Sequence, residues 1–191
     1  VYKTKLYNDF YGRLVGGVYE DMFAGHGYEL LWKPYSRDFA IGWNHHEVRQ
    51  RGFDGKYDSY LDYETDFKKL TLYYYEPNTG INLNIHTAEY LAGDKGNTFE
   101  IYKRFLNGFS VGAFWSRSNI SYDQFGEGSF DKGIFFQIPL DYFFSYNRMG
   151  FINFSIRPLT RDGQQMLVDS SEIYGDLTHH HRKLLREQWY E

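Results

Sequence analysis

Seven histidines, many carboxylates and no cysteine bound the chemistry open to this 191-residue chain. The lack of Cys excludes a thiol nucleophile, a disulfide scaffold and any zinc site built on thiolates. His179-His180-His181 invites a metal reading. Ligands need fixed geometry and supporting contacts, so a solvated run is preferred there. His45-His46-Glu47 cannot converge as neighbours, because successive strand residues point to opposite faces. A metal there needs a partner such as His26 or His86. Asp54-Gly55 and Asp58 weakly suggest calcium but lack EF-hand spacing, which favours a polar loop. A hydrolase could draw on His86 and Ser110, yet no G-x-S-x-G is present. Carboxylates for glycoside hydrolysis are plentiful, but the sequence sets no separation between them. The expectation is a non-catalytic chain with no metal and no cofactor.

Sugar recognition is a further option. Aromatic rings stack on the apolar faces of pyranoses, while carboxylates and guanidinium groups bond hydroxyls. Glu100, Tyr102, Arg104 and Phe114 share the polar faces of neighbouring segments. A generic polar lining explains them equally well from chemistry alone.

The elements that must position these residues are strands. Helical periodicity is scarce and period-two alternation is common. Ile134-Phe136-Ile138-Leu140 opens one alternating run, and Ile152-Phe154-Ile156 forms the next. Phe109-Val111-Ala113-Trp115, Phe99-Ile101 and Ile81-Leu83-Ile85 do the same upstream. Weaker candidates lie in 4–19, 24–33, 38–48 and 58–75. In the last, Leu61-Tyr63-Thr65-Phe67 uses odd positions and Leu70-Leu72-Tyr74 even ones, which predicts a bulge at Lys68-Lys69. Nine strands result. Short and longer connections alternate, as in an up-and-down meander whose short turns lie on the periplasmic side.

Aromatics are anomalous: 19 Tyr, 17 Phe and 4 Trp, yet the mean hydropathy is -0.62. No apolar run approaches a transmembrane helix. The net charge of -4 is too mild to imply a polyanion partner. No leader opens the chain, which predicts a removed signal peptide or a fragment.

Alternation alone leaves two all-β folds open, a soluble lipocalin-like barrel and a membrane barrel. The face opposite the apolar stripe carries Arg13, Glu29, Asp62, Glu64, Asp66, Glu100, Arg104, Asp141 and Arg157, a mixed-charge lining suited to a solvated lumen. Aromatics gather at strand ends, as in Tyr73-Tyr74-Tyr75 and Tyr142-Phe143-Phe144, where interfacial girdles sit. Both features favour an up-and-down antiparallel transmembrane β-barrel over 1–167. An odd strand count fits a missing strand or a piece of a larger barrel. Residues 168–191 read as a C-terminal tail on the surface rather than a plug, with Leu177, Leu184, Leu185 and Trp189 spaced for a short helix.

Three motifs add a resemblance. They are Tyr90-Leu91-Ala92-Gly93-Asp94-Lys95-Gly96, then Phe125-Gly126-Glu127-Gly128-Ser129-Phe130-Asp131-Lys132-Gly133, then Pro158-Leu159-Thr160-Arg161-Asp162-Gly163. In this order they resemble the YjbH/GfcD family of outer-membrane exopolysaccharide and capsule proteins, over residues 10 to about 168. Members are much longer, and the motifs belong to their C-terminal barrel region. Gln164 stands where a second Gly is expected.

The resemblance implies a bacterial outer-membrane barrel acting with polysaccharide-secretion proteins, with no established catalytic residues and no nucleic acid. Gly93, Gly96, Gly126, Gly128 and Gly163 permit backbone angles closed to other residues. Asp94, Lys95, Glu127, Asp131, Lys132, Arg161 and Asp162 are then candidates for a charge-paired rim, preferred as a loop lock over a glycan contact. Arg13, Glu100, Tyr102, Arg104, Phe114, Asp141 and Arg157 are the glycan-binding or lumen candidates. The function expected is a non-catalytic part in exopolysaccharide or capsule export. A general porin and an outer-membrane enzyme acting on lipid or glycan remain alternatives.

Overall fold

The computed structural model describes residues 1–54, 59–105, 107–121, 130–143, 151–158 and 163–178, with Asp141 described in its backbone only. Ten strands follow one another: β1 (Tyr2–Tyr7), β2 (Phe10–Glu20), β3 (Phe23–Trp32), β4 (Phe39–Arg51), β5 (Tyr60–Glu76), β6 (Ile81–Glu89), β7 (Lys95–Arg104), β8 (Ser110–Ser118), β9 (Lys132–Pro139) and β10 (Phe151–Ile156). A 3-10 turn, Leu140–Tyr142, follows β9, and a short helix α1 spans Ile173–Thr178. The strands form one sheet in chain order, each antiparallel to the next. The expected up-and-down order is present. β1 and β10 are its edges, and among the described residues no ladder joins them, so the sheet is open. No described helix is long and apolar enough to cross a membrane.

The segment expected as one strand over 4–19 is two. The chain reverses at Asn8-Asp9, with Tyr7 opposite Phe10 and Asn8 in the left-handed region at φ 46°. Asn tolerates that conformation because its short polar side chain bonds locally. A second reversal, at Asp21-Met22, sits where longer loops are expected. The bulge predicted at Lys68-Lys69 is absent. Pairing between β4 and β5 runs unbroken from Phe39↔Tyr74 to Arg49↔Glu64, and the irregularity falls beyond, at Arg51↔Tyr60. Phe67, Lys69, Thr71 and Tyr73 therefore share one buried face. Phe67 is apolar there because it packs with Phe23, Val48, Leu91 and Leu167, not because the strand changes phase.

Large apolar side chains lie exposed on one face of the sheet, and polar and charged ones are buried on the other beside two apolar clusters. Leu70, Leu72, Ile85, Ile101, Ile134 and Ile156 lie exposed on one face, with Trp115 at 44 % and Phe154 at 53 % exposure. Arg13, Glu29, Asn44, His46, Lys69, Thr71, His86 and Thr98 are buried on the other. The outward face is apolar only toward the short-turn end of the central strands. On β4 and β5 it runs Phe39-Ile41-Trp43 and Tyr74-Leu72-Leu70, about 13 Å of strand each. It then becomes polar at His45 and charged through Glu47, Lys68, Asp66 and Glu64, where Lys68 lies 3.5 Å from Glu89. Asp62, Glu64 and Asp66 thus face outward and do not line the polar interior as the sequence suggested. Phase continuity with the Phe67–Tyr73 face forces this.

Residues 163–178 cover the polar face rather than lying on the surface. Ile173 and Tyr174 pack with Leu31, Ala40 and Tyr73, and Tyr73 stacks on Tyr174 at 3.7 Å. Asp176 reaches Lys3 of β1 at 2.5 Å, while Gln164 bonds Asp94 and Asp131 beside β7 and β9. A flat sheet would hold β1 and β9 roughly 38 Å apart. The ends of the segment thus meet strands eight places apart in the sheet order, and its middle packs on β3, β4 and β5 between them.

Candidate functional site

The polar interior divides into a plugged half and an open half. In the plugged half Arg13, on β2, is the hub. Its Nε donates to Glu29 at 2.7 Å, one terminal nitrogen donates to the Ser171 hydroxyl at 2.5 Å, and the other pairs with Asp169 at 2.7 Å. Glu29 also accepts the Ile173 backbone N–H at 3.1 Å, and Asp169 accepts the N–H and O–H of Ser171. His46 donates to or accepts from Tyr19 at 2.9 Å, and Lys69 bonds Glu172 at 2.5 Å. The side chains of Arg13 and Glu29 are fully buried. Charges buried this deeply persist only when paired and hydrogen-bonded, and the plug supplies most of the partners.

Asp169 carries a testable consequence. Burial disfavours its carboxylate, but hydrogen bonds from Arg13 and Ser171 outweigh that and hold the carboxyl below its ordinary range. A lowered folded-state value means the carboxylate stabilises the fold above its unfolded value, about 3.9, and the contribution is lost as pH falls through the folded value. The urea midpoint of wild type should exceed that of Asp169→Asn at pH 7, and the gap should close below about pH 4. A gap unchanged by acid would remove Asp169 from the plug's anchorage.

In the open half, β6 to β10 line a cavity of about 290 Å³. Glu100, Tyr102 and Arg104 project from alternate positions of β7, as their spacing predicts, beside Asn84, Phe135 and Gln137. Glu100 accepts from Asn84 at 2.9 Å and lies 3.3 Å from His86 Nε2. His86 Nδ1 meets the Thr71 hydroxyl at 2.8 Å. Ser110 is contacted by Arg104 at 3.4 Å, so His86 and Ser110 are engaged elsewhere and do not form a hydrolase pair. Of the other lumen candidates, Arg13 belongs to the plugged half. Phe114 and Arg157 meet at the loop end, the guanidinium 5.8 Å from the ring. The side chain of Asp141 lies outside the described residues.

The loop motifs converge. Gln164 donates its backbone N–H to Asp94 at 3.1 Å, and its side-chain oxygen accepts the Asp131 N–H at 2.9 Å. Asp131 accepts from Arg157 at 2.7 Å. Gln164 holds φ at 62°, which explains why Gly suits that position; here the amide side chain adds a bond that Gly could not make. Gly93 is left-handed as expected, at φ 81°. Gly96 is small for another reason, since a Cβ there would strike the backbone of Arg117 and Ser118. Lys95 turns outward to Glu89 at 3.4 Å, and Lys132 sits 4.5 Å over the Phe130 ring, so neither joins the cluster. Glu127, Arg161 and Asp162 lie outside the described residues.

The third motif yields a pair of expected results. Gln164→Ala keeps the strained backbone and orphans the buried Asp131 N–H, which should cost about 1–3 kcal/mol. Gln164→Gly relieves the strain and should be about 1 kcal/mol less damaging than Gln164→Ala. Chemical unfolding of the two variants against wild type measures both.

No metal centre is assembled among the described residues. His45 and His46 point to opposite faces, and His26 lies outward beside Glu47 at 3.5 Å. His179-His180-His181, with Gly55 and Asp58, falls outside the described residues. Nothing in the sequence marked residues 163–178 as the partner of Arg13 and Glu29; the sole signal was Asp169 and Glu172 among small polar residues.

The sequence model of a family described as "Exopolysaccharide biosynthesis protein YbjH" matches residues 2–179. An Escherichia coli (strain K12) protein named "Uncharacterized lipoprotein YjbH" is 38 % identical over 181 residues, which covers 93 % of this chain and 26 % of that protein. The chain thus spans about a quarter of the length of that relative. No solved structure matches.

Proposed function

We propose, from the premise that this chain belongs to the YjbH exopolysaccharide biosynthesis family, that it forms a non-catalytic outer-membrane β-barrel region that contacts glycan during export or surface assembly. The exposed apolar face of the sheet carries this reading. Its outward Leu, Ile and Trp side chains suit acyl chains, and its buried charged face suits a solvated interior. Both edges must then be paired in the bilayer, because an open edge in lipid leaves backbone groups unsatisfied. The apolar band on β4 and β5 is narrower than the usual 25 Å or so, while β2 extends it through Phe10, Leu14 and Val18. The charged outward ends of β3–β5 then stand beyond the hydrocarbon, on the loop side. The relative's name as a lipoprotein supports an envelope location.

The plug argues for a guarded export component over an open porin, since residues 163–178 occupy one half of the interior. A planar-bilayer recording separates the two: general porin conductance would favour the second. The experiment that tests the main reading replaces Glu100 and Arg104 together by Ala in the full-length protein. Exopolysaccharide output should fall while the protein still fractionates with the outer membrane. Normal output from a correctly located variant would remove the interior from the mechanism, and recovery of wild type in the soluble fraction would remove the membrane.

A further inference from the structure

We infer that the open cavity of β6–β10 is a saccharide site selective for a sugar bearing a carboxylate; this deepens the export reading and rests on it. The cavity, at about 290 Å³, is at the small end of ligand sites. Its wall along β7 orders three chemistries. Glu100, Tyr102 and Arg104 share one face at steps of about 7 Å, on the order of one sugar ring. Tyr102 and Phe135 stand in the middle, with centroids 6.0 Å apart and planes tilted by 54°. Such a corner leaves ring faces free for the C–H face of a pyranose.

The two ends differ in charge. At one, Glu100 is already compensated by Asn84 and His86. Asn84 Oδ1 beside it is buried and has no hydrogen-bond partner among the described residues, so it can accept from a hydroxyl. At the other, the hydrogen-bond partners of Arg104 among the described residues are neutral. They are the Ser110 hydroxyl at 3.4 Å and the Gln137 amide at 3.3 Å, both long. Bonds this long are readily exchanged for those to a planar anion, and a carboxylate matches the guanidinium fork in a bidentate pair. A neutral sugar leaves that charge unanswered. The geometry therefore places ring hydroxyls at Glu100 and Asn84, the ring over Tyr102, and the acid group at Arg104.

Calorimetry on the full chain in detergent micelles tests this with trigalacturonate and maltotriose, which have equal ring counts and differ in charge. Trigalacturonate should bind about tenfold tighter or more, and less tightly as salt rises. Arg104→Gln should abolish the preference while leaving any maltotriose binding in place. Asn153→Lys adds a cation at the exposed rim of the same cavity and should tighten trigalacturonate several-fold. Equal affinity for the two sugars overturns the inference. So does an absence of trigalacturonate binding to folded wild type and folded Asn153→Lys. Failure here with outer-membrane fractionation intact rejects the site and leaves the export reading. Selective binding by a protein recovered in the soluble fraction does the reverse.

Discussion

Leu72→Arg should destabilise the membrane-inserted protein by about 2–4 kcal/mol, the cost of an arginine facing lipid near the midplane of a barrel. Leu72 faces outward between Ile41 and Ile85 on the neighbouring strands and is 42 % exposed. In a water-soluble protein a change at so exposed a position is usually worth within about 0.5 kcal/mol. The two environments therefore give answers that differ severalfold. Glu64→Gln is the matched control. It lies on the same outward face of the same strand but beyond the apolar band, and its side chain is 72 % exposed. Urea unfolding from phospholipid vesicles measures both. A negligible penalty for Leu72→Arg would show that the outward face meets water, and the proposed location would fall with it.

Arg13→Leu should cost about 3–5 kcal/mol, because it leaves Glu29 and Asp169 buried without their cation. The loss should appear first in the plug, since Arg13 binds Ser171 and Asp169 there and Glu29 caps the N–H of Ile173. Protease added to the folded variant should cut within 163–178 sooner than in wild type. Replacing all three charges together, as Arg13→Leu with Glu29→Gln and Asp169→Asn, should recover much of the loss, because no unpaired charge is left behind. If Arg13→Leu alone kept wild-type stability and protease resistance, the network would not be what seats the segment. The apolar contacts of Leu167, Ile173 and Tyr174 would then hold it unaided.

Much of the architecture was legible from residue order. A strand's side chains alternate by geometry, so Ile81-Leu83-Ile85 or Ile152-Phe154-Ile156 declares a face wherever the strand ends up. The same rule set Glu100, Tyr102 and Arg104 side by side. Short-range pattern misled where a long-range contact supplied the reason. Phe67 is apolar because Phe23, Val48 and Leu167 meet it, and taken as a local signal it moved Asp62, Glu64 and Asp66 to the wrong face. The break at Asn8-Asp9 was hidden because the alternation of apolar residues continues through it.

Composition and alternation by themselves determined an antiparallel meander with one greasy and one polar face, and the three loop motifs pointed to its family. Tertiary structure alone decided which residues meet. Arg13 and Ser171 are 158 positions apart, and Gln164 and Asp94 are 70. No periodicity marks a segment most of whose partners lie on strands and turns distant in the sequence. Residues 163–178 lie along the polar face of the sheet and so divide one polar surface into a sealed half and an open one.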